Sequence, residues 1–174
     1  ARLACETEPI LISGDMVLPT ISTNVSVYDV EPQADPLRHF LESIDRFRDL
    51  APDTLVLPSH GLPFVGLHRR IDQLHAHHRE RLDEIFQACA EPRTAKELVP
   101  VLFPRPLDDH QLGFAFGETV AHLHRLWYEG RLARIRRPAR ELHRRVGPKR
   151  ADEDLIVPAH CLEIGDGPPV GRPG

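Results

Sequence analysis

No run of this sequence approaches the roughly 18 uninterrupted apolar residues that a membrane-spanning helix requires. Its longest apolar stretches, around residues 10–12 and 55–57, have the length of strands, so no membrane partner is expected. Cysteine is scarce: Cys5, Cys89 and Cys161 are odd in number, widely spaced and without a Cys-x-x-Cys pair. That argues against a disulfide framework and against a cysteine zinc site, and it fits a reducing compartment such as the cytoplasm. No Gly-x-Gly-x-x-Gly or Gly-x-x-x-x-Gly-Lys-Ser/Thr loop is present to cradle phosphates, and no Gly-x-Ser-x-Gly elbow to present a serine nucleophile. Ser59 and His60 are adjacent in sequence and cannot form a serine–histidine pair of normal geometry. His160-Cys161 offers a thiol, but nothing around it would organise a nucleophile. The chain opens Ala1-Arg2-Leu3 without an initiator methionine, so the lack of a leader peptide carries no weight.

What is present is the composition of a soluble globular protein. The 174 residues are 41% hydrophobic and 28% charged, enough for one ordinary domain or two small ones with a working core. The net charge of −4 conceals an asymmetry, because residues 131–150 hold nine Lys/Arg against one acid. Such a block is either a polyanion-binding surface or a solvated helix face. The last ten residues, Gly-Asp-Gly-Pro-Pro-Val-Gly-Arg-Pro-Gly, have the composition of a disordered tail.

Local patterns predict an α/β first part. Pro9-Ile10-Leu11-Ile12 is a continuous apolar run, expected to be a strand buried on both faces. It breaks at Ser13-Gly14-Asp15. Val25-Ser26-Val27-Tyr28 alternates and predicts a second short strand. Asp35-Pro36 opens a helix with Asp35 as N-cap, and Leu37, Phe40, Leu41, Ile44, Phe47 and Leu50 make one apolar stripe. Thr54-Leu55-Val56-Leu57 is another apolar strand, stopped by Pro58. From Leu67 the pattern turns helical. Ile71, Leu74, His78, Leu82, Ile85, Phe86 and Cys89 share one side of a long helix. Thr94-Ala95-Lys96-Glu97 is a capping box for a shorter helix that Pro100 should kink. A third helix from 109 to 129 carries Leu112, Phe116, Val120, Leu123, Leu126 and Trp127 inward, with Asp109, Glu118 and several histidines on its exposed face, and Gly130 caps it. Residues 131–135 (Arg-Leu-Ala-Arg-Ile) alternate like a strand, and the Leu155-Ile156-Val157 patch has strand composition.

Two residues stand where open α/β sheets place their ligand-binding groups, just beyond strand ends. Asp15 follows the first apolar strand behind Gly14, and His60 follows the 54–57 strand. A carboxylate and an imidazole are ligand types of a hydrolytic zinc or iron site. Taken singly, a Gly-Asp is more often a turn and a His before Gly more often a cap. His75-Ala76-His77-His78 is a weaker candidate, because residues two apart on a helix point about 200° from each other.

Ile12-Ser13-Gly14-Asp15-Met16-Val17-Leu18, followed by Leu57-Pro58-Ser59-His60-Gly61, resembles the closing motifs of the metallo-β-lactamase-fold superfamily. Downstream, His77-His78-Arg79-Glu80-Arg81-Leu82, Pro92-Arg93-Thr94-Ala95 with Glu97-Leu98, and Ala121-His122-Leu123 through Glu129-Gly130-Arg131-Leu132 resemble the winged-helix extension of its β-lactamase-like branch. The resemblance covers about residues 9–136. It implies that Asp15 is the carboxylate bridging two metal ions and that His60 is the last histidine ligand of the second. Zinc is the metal such ligands favour, with other divalent ions possible. The superfamily's His-x-His-x-Asp-His motif lies upstream of the Gly-Asp strand and has no counterpart in this sequence. The resemblance therefore implies the C-terminal half of an αβ/βα sandwich over residues 1–66 and a mostly α winged-helix-like domain at 67–137, while composition alone predicts a basic then Pro/Gly-rich, poorly ordered segment at 138–174. The intact protein is expected to be a metal-dependent hydrolase of a small-molecule ester, thioester or phosphodiester, and this chain alone to be inactive. The competing expectation is a winged-helix nucleic-acid-binding module, contacting phosphates through Arg131, Arg134, Arg136, Arg137 and Arg140.

Overall fold

A computed structural model describes residues 9–28 and 30–135 in full, and residues 3–4 and 155–158 by their backbone. In chain order the elements are β1 (Leu3–Ala4), β2 (Ile10–Gly14), α1 (Pro36–Asp45) with a 3₁₀ turn at Arg46–Asp49, β3 (Leu55–Pro58), α2 (Leu67–Ala88), α3 (Ala95–Leu102), α4 (Asp109–Tyr128), β4 (Leu132–Ile135) and β5 (Leu155–Pro158). The architecture is mixed α/β. No helix among the described residues is long and apolar enough to cross a membrane.

The chain divides into two compact units, the first formed by residues 1–25 and 36–80 and the second by 26–35 and 81–174. In the first unit the sheet order is β1-β2-β3. β1 runs antiparallel to β2, and β2 runs parallel to β3 with Leu11 opposite Val56 and Ile12 opposite Leu57. Parallel neighbours need a crossover, and α1 supplies it. Leu37, Phe40 and Ile44 of α1 are buried, as are Phe47 of the 3₁₀ turn and Leu67, Ile71 and Leu74 of α2. All but Leu67 belong to the apolar stripes that three- and four-residue spacing predicted, of which Leu41 and Leu50 are only half-buried. The helix expected to reach residue 50 tightens into the 3₁₀ turn at Arg46.

The sheet corrects one expectation. Leu11 and Val56 are fully buried, but on the opposite face Ile12 is 49% and Leu55 37% exposed. Alternation along β2 rather than uniform burial means that one face of these apolar strands has no cover among the described residues. A second correction concerns residues 25–28, which form no strand. Their alternation reflects Val25, which is buried, and Ser26, whose side chain lies where a Cβ at Gly117 would come within 2.5 Å of its Oγ.

The histidines of α2 in the first unit serve the fold. The His68 ring Nε2 lies 3.0 Å from the Leu50 carbonyl, His75 Nε2 lies 2.9 Å from Asp45 Oδ1, and fully buried His78 meets Ser22 Oγ at 3.1 Å and the edge of Phe40.

In the second unit the capping box forms as expected, with Thr94 N donating to Glu97 Oε2 at 2.8 Å and Glu97 N to Thr94 Oγ1 at 3.4 Å. α3 carries Pro100 inside it and runs on to Leu102. The missing N–H forfeits only the bond to Lys96, one turn from the helix start. Asp108 caps α4 by accepting from Gln111 N at 2.8 Å. Gly130, at φ +68°, ends it with Arg131 N bonded back to the Leu126 carbonyl, a reversal that only a residue free of Cβ makes cheaply. β4 then pairs antiparallel with β5, Ala133 opposite Val157.

The exposed face assigned to α4 is also corrected. His122 is fully buried, His124 is 5% exposed and Glu118 is half-buried, whereas Leu112 at the helix start is 47% exposed. Residues 33–35 lie against the end of α4 and contribute to this. His124 Nδ1 donates to the Ala34 carbonyl at 2.9 Å, Arg125 pairs with buried Asp35 at 3.2 Å, and the Tyr128 hydroxyl donates to the Gln33 carbonyl. Burial holds His124 below the usual histidine range, with the Ala34 bond offsetting only part of the effect. Cys89 is free and buried, and that burial pushes its thiol up to about 11, which makes it a poor nucleophile.

Candidate functional site

The parallel register of β2 and β3 brings the two predicted ligands together. Gly14 pairs with Pro58 at the ends of the strands, and Ser59 N donates to the Gly14 carbonyl at 3.1 Å, so both chains leave the sheet at one level. An irregularity in the pairing between Ile12 and Gly14, with Gly14 at φ +56°, turns the backbone there. Ser13 Oγ donates to the Val17 carbonyl at 2.9 Å within the core and fixes the loop that follows.

Out of this arrangement come Asp15 and His60, with Nε2 of the histidine 3.5 Å from Oδ1 of the aspartate. The Ser59 hydroxyl donates to the same carboxylate oxygen. Sequence reasoning missed Ser59, which it weighed only as a nucleophile. Its adjacency to His60 conceals that residue 59 faces the partner strand's loop. The side chains of Asp15 and His60 are 63% and 71% exposed. A contact so open to water contributes at most about 1 kcal/mol, so the fold does not depend on it. What the pair offers is a carboxylate oxygen and an imidazole nitrogen presented to solvent at a sheet's end.

The chemistry of this donor set fits two corners of a metal site and not a whole one. A catalytic zinc takes three protein ligands, and among the described residues no group of three or more His, Cys, Asp or Glu is placed to hold a metal ion.

Gly61 keeps His60 where it is. It adopts φ +85°, and a Cβ there would lie 2.6 Å from Pro19 Cγ. Beyond it, Phe64 exchanges two backbone hydrogen bonds with Val56, at 2.8 and 3.1 Å, which pins the loop to the outer edge of β3. Gly61→Ala is expected to cost roughly 1–3 kcal/mol, from strain at positive φ and the clash with Pro19. Urea unfolding should show a lower midpoint at unchanged slope, and an unchanged midpoint would mean the loop relaxes freely.

The basic cluster divides differently. The Arg131 guanidinium pairs with Asp83 at 3.0 Å and Glu129 at 3.6 Å and stacks 4.6 Å above the Phe86 ring. That of Arg134 lies 4.9 Å over Trp127. Both side chains are thus engaged within their own unit. Arg136, Arg137 and Arg140 lie outside the described residues.

Comparison with known proteins bears on the same features. Residues 82–144 match the family described as metallo-beta-lactamase-like, C-terminal domain. A beta-lactamase domain protein from Burkholderia ambifaria is similar at 49% sequence identity and a TM-score of 0.78, over 91% of this chain and 44% of that one. A metallo-beta-lactamase family protein from Thermus thermophilus is similar at 32% identity and a TM-score of 0.71, over the same shares of the two chains. No curated protein matches the sequence. The chain thus spans less than half the length of each of these relatives. By its second unit and by these likenesses, the chain belongs to the metallo-β-lactamase superfamily.

Proposed function

We propose that this chain supplies the last two ligands, Asp15 and His60, of the metal centre of a metal-dependent hydrolase. The observation that carries the reading is their 3.5 Å approach at the ends of two neighbouring parallel strands, at the position where α/β sheets gather ligand-binding groups. Asp15 would bridge two zinc ions and His60 would hold the second. Such a centre supplies a water acidic enough to ionise near neutral pH. Ser59, bonded to Asp15, would set the angle of the carboxylate, as outer-shell partners of metal ligands do.

The remaining ligands would come from residues outside this stretch. Two observations support that division. The donor set among the described residues falls short of even one complete metal site, and Ile12 and Leu55 leave one face of the sheet open to water. Parallel strands are normally covered on both faces, so the same missing part would close the sheet and complete the centre. The second unit supports a winged-helix-like reading, with the end of α2, then α3 and α4, followed by the antiparallel pair β4-β5.

The test compares this chain with a longer protein that contains it and the relatives' upstream half. Metal analysis should find about two zinc ions per longer protein and none held stoichiometrically by the 174-residue chain. Hydrolysis of a chromogenic ester, thioester or phosphodiester should follow the metal. A longer protein that is active after exhaustive chelation would overturn the proposal.

A further inference from the structure

We infer that the second unit carries a binding site for an amphipathic carboxylate, a small molecule with an aliphatic or aryl body and one anionic head. An open cavity of about 1380 Å³ lies between residues 26–28 with Pro32, α3 and the first turns of α4. Its apolar lining residues include Val99, Phe103, Leu107 and Phe116. That volume exceeds the roughly 300–1,000 Å³ of pockets for drug-sized ligands, so a chain of a dozen carbons fits. At its edge Leu112 and Phe114 are each 47% exposed, neighbouring large apolar side chains of the kind that mark a ligand groove.

Charge selects the head group. Among the described residues the ionisable side chains lining the cavity are Lys96, Arg105, His110, Asp109 and Tyr28, two cations and a histidine against one carboxylate. A positive lining is not the default in a chain whose net charge is −4. Lys96 has no hydrogen-bond or ion-pair partner among the described residues. Arg105 is steadied by Gln111, its Nη1 donating to Oε1 at 2.9 Å, and His110 rests edge-on against Phe114 with ring centres 4.7 Å apart.

Gly113 is the independent observation. A glycine inside a helix weakens it and needs a reason. Gly117 has one, because a Cβ there would strike Ser26, whereas a Cβ at Gly113 would meet nothing within 4 Å and φ is ordinary. Gly113 lines the cavity, so a larger side chain there would take up part of its space.

Titration calorimetry of the full 174-residue chain with dodecanoate, kept below its micelle concentration and in the presence of a chelator, tests this. Because no metal is needed, the outcome is independent of the hydrolase reading. Dodecanoate should bind saturably at one site, and dodecyltrimethylammonium at least about tenfold more weakly. Gly113→Leu, which puts a bulky side chain into the cavity, and Lys96→Glu with Arg105→Glu, which reverses its charge, should each weaken dodecanoate by about tenfold or more with circular dichroism unchanged. If Gly113→Leu fails to fold, the charge-reversed variant decides alone. The inference falls if dodecanoate shows no saturable binding, as it would were another segment of the chain seated in the cavity. It also falls if the cationic amphiphile binds equally well, or if the folded variants bind as the parent does.

Discussion

Replacing Asp15 by Asn in the longer, metal-loaded protein is expected to reduce hydrolysis by more than about 100-fold, beyond the 10–100-fold typical of losing an outer-shell partner. Asn keeps the shape of the side chain and still offers an oxygen to the Ser59 hydroxyl. It removes the negative charge that holds two cations close together, so the metal count should fall with the activity. The fold should not notice, because the carboxylate is 63% exposed and its pairing with His60 stabilises little. The informative result is therefore a melting temperature within a degree or two of the parent in the metal-free state, alongside lost metal and lost turnover. Retained activity would remove Asp15 from the centre. A collapse of the metal-free fold would mean that the turn after β2 depends on the charge itself.

Much of the scaffold around that aspartate is legible in the sequence, and the boundary of what is legible has physical causes. Helical periodicity is a local signal, so Ile71, Leu74, His78, Leu82, Ile85 and Cys89 declare the buried side of α2 without reference to the rest of the chain, and of that stripe only Phe86 is half-buried. Caps are local too, which is why Thr94 with Glu97 and Gly130 read correctly. Strands need partners that sequence does not name. The alternation at 25–28 finds no neighbour, while residues 155–158 pair with β4 across an interval no local pattern spans. The uncovered face bearing Ile12 and Leu55 is invisible for the same reason. A continuous apolar run predicts two covered faces, and whether the second cover lies in the same stretch is a property of the whole fold.

The site divides along the same line. Asp15 and His60 are readable as residues that follow strands, but their approach to 3.5 Å depends on the parallel register that sets Gly14 opposite Pro58. Ser59 enters the site only through that register. The face of α4 illustrates the converse failure. His122, His124 and Glu118 read as solvent-facing because polar residues usually are, yet both histidines are buried and Glu118 is half-buried, with residues 33–35 held against the end of α4 through His124, Arg125 and Tyr128.

Glu118 provides the second large effect, on stability. Its burial pushes the carboxyl from 4.5 up to about 7, with the charge of Arg81 pulling it back only in part. No hydrogen bond to the carboxylate compensates among the described residues; only the backbone carbonyl of Glu118 is used, by His122 Nδ1 at 2.8 Å. The sign follows from proton counts. Between pH 4.5 and about 7 the folded state keeps a proton that the unfolded state has released, so stability falls as pH rises through that window and levels off above it. The span is worth at most about 3 kcal/mol, a large share of the 5–15 kcal/mol typical of a domain. Glu118→Gln mimics the protonated acid at every pH. Urea unfolding of parent and variant from about pH 4 to about pH 8.5 should therefore give equal stabilities at the acid end and a variant more stable by up to about 3 kcal/mol above about pH 7. Subtracting one curve from the other cancels the histidines, which titrate alike in both proteins. A difference that stays flat across the range would show that water reaches Glu118 and that its carboxylate ionises without penalty inside the fold.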